Sequence, residues 1–194
     1  MRTLFSTIIA FMLALSVGLG SAWYMIAEGS ALTTRRIGPW TVWHSAGNPD
    51  PDPYTRAYQA RTGRLPITST NALYYYARTD DAGEELRSEC DYVVEGQPIN
   101  APWWSMALYD EEGRLIPNKA KRYAFNRTDI IRRTDGTFQI VLAQDARDGN
   151  WLPTGDGRVL QLTLRIYSPR SFNDTVKGRL LERRLPTITK AGCR

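Results

Sequence analysis

The feature that most constrains the fold of this chain is an alternating stretch near residue 160. Apolar side chains occupy every second position, at Leu160, Leu162, Leu164 and Ile166. The positions between them carry Gln161, Thr163, Arg165 and Tyr167. A period of two is typical of a β-strand that turns one face toward a core. We therefore predict a central strand over 159–167, entered through an Asn-Trp-Leu-Pro loop at 150–153 and a tight turn at 154–157.

Other short strand patterns flank this one, at 37–43, 72–77, 90–96, 103–109, 137–143 and 187–189. A hairpin turn is predicted at 110–113, with a return strand that begins at Leu115 and Ile116 and ends at Pro117. Turn signals recur about every eight to twelve residues, and no helix separates successive strands. A chain of 194 residues with this pattern favours one mainly β domain, an antiparallel sandwich or barrel, over a parallel α/β sheet.

One short helix is predicted at about 53–62. Asp52 suits the N-cap position, Pro53 suits the first helical position, and Gly63 ends the helix. A second, weaker helical pattern lies at 172–177.

The N-terminus predicts a membrane helix. Residues 4–27 carry no charge, and such a helix is about 36 Å long against a hydrocarbon core of about 30 Å. The small residues at 20–22 leave a cleaved signal peptide open as an alternative. We favour an uncleaved anchor, because Trp23 and Tyr24 suit the aromatic layer at a membrane surface. Arg2 favours a cytoplasmic N-terminus in the inner membrane, with the remaining chain in the periplasm or outside the cell.

The sequence contains two cysteines, Cys90 and Cys193. In a domain outside the cytoplasm an even pair predicts a disulfide, which would tie the C-terminus to the body of the domain. Two free thiols remain the alternative.

The positive charge of the chain is scattered. The formal net charge is +5, and its basic pairs are widely separated: Arg35-Arg36, Lys121-Arg122, Arg132-Arg133 and Arg183-Arg184. Nucleic-acid binding requires a clustered basic patch, so we expect no nucleic-acid partner. Attraction to anionic lipid head groups is an intermediate interpretation.

Catalytic patterns are weak in this sequence. His44 is the only histidine, which leaves a histidine metal cluster or a catalytic triad without its parts. We expect no cofactor and no metal, and we assign no catalytic residue. Three aspartates near the Trp151 loop could serve a glycosidase, although loop aspartates more often shape turns: Asp145, Asp148 and Asp156.

Aromatic side chains on segments that neighbour one another in a sandwich are the more suggestive feature. Together with one arginine they form a predicted ligand-binding set for a sugar or an amphipathic molecule: Trp103, Trp104, Tyr109, Trp151, Arg165 and Tyr167. Packing of the same aromatic rings into a core is the competing interpretation.

Several of these segments, taken in order, resemble a bacterial family called domain of unknown function 1214. They are the Trp-Trp strand with its hairpin at 103–118, the DGTFQIVL stretch at 135–142 and the segment at 149–169. The helix and strand upstream fit as well, so the resemblance covers roughly 37–193. It implies a jelly-roll-like β-sandwich and a domain often found in longer envelope proteins, whereas this chain has a membrane helix instead. A fold does not specify a function.

The sequence thus predicts an anchor at 1–27, a juxtamembrane linker at 28–36 and one jelly-roll-like domain at 37–194. The leading hypothesis is a non-enzymatic module that binds a small molecule or a glycan. The alternatives are a hydrolase that uses the loop carboxylates, and a structural partner of another envelope protein.

Overall fold

The structure is a computed structural model that describes residues 2–156, 158–167 and 185–194. Its helices are α1 (Arg2–Ala27) and α2 (Pro53–Thr62). Its strands are β1 (Thr34–Ile37), β2 (Trp40–Trp43), β3 (Ala72–Ala77), β4 (Cys90–Gly96), β5 (Trp103–Asp110), β6 (Ala124–Asn126), β7 (Phe138–Ala143), β8 (Trp151–Pro153), β9 (Leu160–Tyr167) and β10 (Thr187–Cys193). The mainly β architecture predicted from the sequence is confirmed.

The strands form two sheets. One has six strands in the order β1-β2-β3-β9-β5-β6, and the other has four in the order β10-β4-β7-β8. The alternating strand, β9, lies inside the larger sheet and pairs with β3 along Ala72–Ala77 and with β5 along Trp103–Asp110. Both of its edges are therefore hydrogen-bonded, which makes it the centre of this sheet.

The two sheets face each other across one hydrophobic core. The aliphatic side chains of β9 are fully buried in it, as the alternation predicts. Trp104 of the larger sheet stacks on Phe138 of the smaller one, with ring centroids 5.2 Å apart. This aromatic contact joins the two layers near the middle of the core.

The helix prediction is confirmed in detail. The Asp52 side chain accepts hydrogen bonds from the backbone N–H groups of Tyr54 and Thr55, each at 3.0 Å. Gly63 follows the helix in the left-handed conformation, with φ of 65°. This conformation is costly for side chains that have a Cβ, so glycine is the residue expected there. The weaker helical pattern at 172–177 lies outside the described residues.

The predicted strand at 37–43 is instead a hairpin. β1 and β2 pair in an antiparallel register, with Gly38 and Pro39 at the turn between them. Pro39 lacks a backbone N–H and Gly38 has a positive φ of 57°, so the chain reverses at this pair. The first strand consequently begins at Thr34, inside the segment interpreted as a linker.

The predicted return strand after the 110–113 turn was wrong. Leu115 forms only an isolated bridge with Tyr109. The strand that pairs with the free edge of β5, opposite β9, is β6, farther along the chain. Pro117 has no N–H to donate, and the Asn118 side chain then holds a turn by accepting from the backbone N–H of Arg122 at 3.0 Å. These residues end the pairing before a strand can form.

Residues 151–153 form a strand where the sequence predicted a loop. β8 pairs in parallel with β7, the one exception to antiparallel pairing among the described strands. Buried Asn150 fixes the start of β8. Its Nδ2 donates to the carbonyl oxygens of Ile131 and Gln139, each at 2.8 Å. Its Oδ1 accepts from the backbone N–H of Ile131, also at 2.8 Å. The pattern of residues at 151–153 does not show that the Asn150 amide will bond to Ile131 and Gln139, so the sequence carries no strand signal there.

α1 has the length and composition of a membrane span or of a signal sequence. None of its residues is buried against the rest of the chain. Near its end, the guanidinium carbon of Arg61 on α2 lies 4.6 Å from the centroid of the Trp23 ring. α2 therefore lies beside the last turns of α1.

The predicted disulfide is confirmed. Cys90 and Cys193 are bonded across a sequence separation of 103 residues, at facing positions of β4 and β10. The bridge fixes the end of the chain to the smaller sheet.

Removing this bridge should destabilise the fold. A cross-link across a loop of this length is expected to contribute about 2–5 kcal/mol, mainly by restricting the unfolded chain. We therefore expect urea denaturation of the full chain to show a free energy of unfolding lower by about that amount in a Cys90→Ala/Cys193→Ala variant. Reduction of the unaltered protein should lower its midpoint by a similar amount. An unchanged midpoint in both samples would contradict a stabilising role for the bridge.

Candidate functional site

The outer face of the six-stranded sheet is covered as well as the inner face. The β9 side chains that point away from the core include Gln161 and Thr163, and these are only 3% and 1% exposed. The cover is α2 and the loop after it. β9 is consequently buried on both faces, and polar groups lie in the second buried layer.

A cavity of about 290 Å³ lies in this second layer. Five aromatic side chains form part of its walls: Trp43, Tyr58, Tyr74, Tyr76 and Tyr109. Its polar side chains come from the floor on β9, from α2 and from the segment after α2: Gln161, Thr163, Arg165, Gln59, Thr62 and Arg64. Among the described residues that line it there is no aspartate or glutamate.

Arg64 enters the cavity because of the way α2 ends. The left-handed Gly63 turns the chain, and the backbone N–H of Arg64 donates to the carbonyl oxygen of Gln59 at 3.0 Å. The guanidinium then folds back under the helix, where its Nη1 donates to the hydroxyl of Tyr58 and its Nη2 to Gln161 Oε1 at 3.1 Å. The cap of one helix thus positions one cationic group.

The Gln161 side chain connects the cationic groups to β9. Its Oε1 accepts from Arg64 and also from Nε of Arg78, at 3.1 Å in both cases. Its Nε2 donates to Thr163 Oγ1 at 3.3 Å. A neutral amide oxygen therefore accepts from two guanidinium groups.

Arg165 supplies a second guanidinium on the cavity floor. Its Nη2 donates to the hydroxyl of Tyr109 at 2.7 Å, and its central carbon lies 5.3 Å from the centroid of that ring. Within the described part of the chain, neither Arg165 nor Arg64 forms an ion pair with a carboxylate. Aromatic rings and neutral oxygens surround both cations, which leaves the cavity with a positive electrostatic character.

Tyr76, on β3, also lines this cavity. Burial raises the pKa of its hydroxyl to about 12, although the nearby Arg64 charge acts in the opposite direction. The guanidinium carbon of Arg64 lies 4.5 Å from the Tyr76 ring centroid. At neutral pH the Tyr76 hydroxyl is protonated and can donate a hydrogen bond.

The structure brings together two of the six side chains predicted to bind a ligand. Tyr109 and Arg165 share the cavity. Trp103 and Tyr167 face each other where β5 meets the end of β9, outside the cavity lining.

The remaining two lie elsewhere. Trp104 is fully buried in the core, as the packing alternative predicts. Trp151 belongs to β8 in the other sheet, where its Nε1 donates to the Ala143 carbonyl oxygen at 2.9 Å. These positions follow from the pleat of β5 and from the unpredicted strand β8.

Sequence reasoning missed several cavity residues: Arg64, Tyr58, Tyr76 and Gln161. One signal was present in the β9 alternation, which placed Gln161 and Arg165 on a common face. The position of Arg64 carried no such signal, because it depends on how α2 packs over the sheet.

The three loop aspartates do not meet in one recess. Asp145 pairs with Arg194, Asp156 lines a surface recess beside Asp110, and Asp148 lines another beside Asn150. No group of three histidine, cysteine, aspartate or glutamate side chains able to hold a metal ion occurs among the described residues.

Comparison with known proteins identifies the family. Residues 71–171, more than half of the chain, match the family described as protein of unknown function (DUF1214). The chain belongs to this family, as the sequence resemblance predicted. No curated protein matches the chain.

Two solved structures are similar to the chain. The VPA0106 protein of Vibrio parahaemolyticus is 21% identical and has a TM-score of 0.57, with 71% of this chain and 35% of that one covered. An uncharacterized protein of Burkholderia cenocepacia is 19% identical with a TM-score of 0.44, and 64% and 30% of the two chains are covered. The chain thus spans about a third of the length of these proteins. The first likeness supports the fold alone.

The raised pKa of Tyr76 can be measured directly. The folded state holds this proton more tightly than the unfolded state, whose ordinary value is 10.0. The stability that this pKa difference contributes is therefore complete below about pH 10 and is lost as the pH rises through about 12, by up to about 3 kcal/mol for two pKa units. The absorbance at 295 nm of the full chain, minus that of a Tyr76→Phe variant, should rise near pH 12. A difference curve that rises near pH 10 would contradict the burial of this hydroxyl.

Proposed function

We propose that this chain is a non-enzymatic, membrane-anchored binding module for a small anionic ligand with a flat or apolar body. The ligand would occupy the cavity between α2 and the outer face of the six-stranded sheet. One observation carries this proposal: two arginines, Arg64 and Arg165, line an aromatic cavity whose described lining contains no carboxylate.

The two guanidinium groups explain the preference for an anion. Arg64 is held by the Tyr58 hydroxyl and Gln161, and Arg165 by the Tyr109 hydroxyl. Each of these acceptors is neutral, so no described carboxylate compensates the two positive charges. A carboxylate or a phosphate would supply that compensation through charge-assisted hydrogen bonds, which are stronger than neutral ones.

The tyrosine rings explain the preference for a flat body. Aromatic faces bind aromatic or sugar rings, and the hydroxyls of tyrosines such as Tyr74 and Tyr76 add polar contacts at the cavity edge. A volume of about 290 Å³ lies at the small end of the range for ligand sites, about 300–1,000 Å³. The ligand class that fits is a small ring compound with an acidic group, either an aromatic acid or a sugar acid.

The anchor and the disulfide support a place at the cell envelope. In this proposal α1 remains uncleaved in the inner membrane, and the β domain lies in the periplasm or at the exterior. The bond between Cys90 and Cys193 is consistent with an oxidising compartment. Four described connections cross from one sheet to the other, which supports a jelly-roll-like sandwich: β3–β4, β4–β5, β6–β7 and β8–β9.

Calorimetric titration of the full chain in lipid nanodiscs tests the proposal. The probes are 2-naphthoate, with the neutral 2-naphthalenemethanol beside it, and glucuronate, with glucose beside it. We expect at least one acid to bind more tightly than its neutral analogue. Arg64→Met and Arg165→Met should each weaken that binding about tenfold or more, since a hydrogen bond to a charged group contributes about 1.5–3 kcal/mol.

Arg133→Met is the matched control, because Arg133 is an exposed arginine that pairs with Glu95 outside the cavity. It should bind the acid as the unaltered protein does. Equal affinity in all three arginine variants, or no preference for either acid, would refute the proposed site.

A further inference from the structure

Three exposed apolar side chains lie near the end of α1. Leu65 is 94% exposed, Leu32 is 83% exposed and Ile67 is 45% exposed. Leu32 lies in the short turn after α1, and the other two lie in the loop after α2. Isolated exposed leucines are common on protein surfaces, so exposure alone does not indicate a binding surface. Their position relative to α1 is the informative feature.

The contact between the two helices fixes that position. Arg61, in the last turn of α2, lies over the Trp23 ring, one turn before α1 ends at Ala27. Leu65 follows Arg61 by four residues and so lies within about 14 Å of it along the chain. Leu32 follows Ala27 by five residues. Leu32 and Leu65 therefore lie close along the chain to the end of α1, and Ile67 follows Leu65 by two residues.

The loop after α2 contributes to the cavity and to the surface beside it. Arg64 points into the cavity, while its neighbour Leu65 lines the open rim of the same cavity and is almost fully exposed. The backbone N–H of Ile67 donates to the Tyr74 hydroxyl at 3.2 Å, which fixes the loop against the sheet. A smaller recess lined by Ala27, Tyr58 and other residues adjoins the cavity on the α1 side.

We propose that Leu65, Ile67 and Leu32 insert into the interfacial layer of the membrane that α1 spans. A helix that ends in tryptophan and tyrosine places its last turns in that layer, where apolar side chains gain from contact with lipid. The occupant of this surface is the lipid bilayer itself. This inference rests on the proposed anchoring by α1, and it places the cavity at the membrane surface.

Depth-dependent fluorescence quenching tests the contact. The two native cysteines are joined in a disulfide, so a Leu65→Cys variant offers a single reactive thiol for an NBD label. The full chain is reconstituted into phosphatidylcholine and phosphatidylglycerol vesicles with nitroxide-labelled lipid. We expect a blue-shifted NBD emission at position 65, with quenching several times greater than at the control position.

Ile131→Cys is the matched control, because Ile131 is 65% exposed and bonds to Asn150 beside the smaller sheet. A Leu13→Cys label, inside α1, should be quenched when the helix is inserted. A label at 65 that behaves like the one at 131, or an unquenched label at 13, would overturn the inference. If the label at 65 behaves like the one at 131 but Arg64→Met still weakens acid binding, the membrane contact is wrong and the binding site is not. The two failures are therefore distinguishable.

Discussion

The burial of β9 on both faces is the constraint on which the rest of this structure depends. Its apolar face is covered by the second sheet, as in any two-layer β domain. Its other face carries Gln161 and Thr163, and burial of such groups is unfavourable unless they are hydrogen-bonded. Arg64 and Arg78 supply these bonds to Gln161. The polar face of β9 therefore depends on Arg64, from the loop after α2, and on Arg78, which directly follows β3.

The same arrangement creates the candidate site. Covering β9 with arginines and tyrosines, instead of aliphatic residues, leaves a cavity with positive charge and aromatic walls. α2 also contacts α1 through Arg61 and Trp23, so the cover of the cavity is connected to the N-terminal helix. One short helix, α2, thus connects the core strand, the candidate ligand cavity and the proposed membrane surface.

Local patterns in the sequence predicted most strands, α2 with both of its ends, and the disulfide. They failed after the hairpin turn, where a local turn held by Asn118 ends the pairing. They also failed at β8, which Asn150 orders through bonds to Ile131 and Gln139 on other segments. The candidate site was predicted in part for the same reason. The period of β9 and β5 indicates that Arg165 and Tyr109 share a face, whereas the approach of Arg64 depends on tertiary packing.

Native mass spectrometry of the full chain, purified in a mild detergent, tests the proposed binding site most directly. The unaltered protein and the Arg133→Met control should retain a small acidic molecule, which the mass then identifies by class. An Arg64→Met/Arg165→Met variant should lose it. An unaltered chain without any adduct, or the same adduct on the double variant, would contradict a binding site formed by these two arginines.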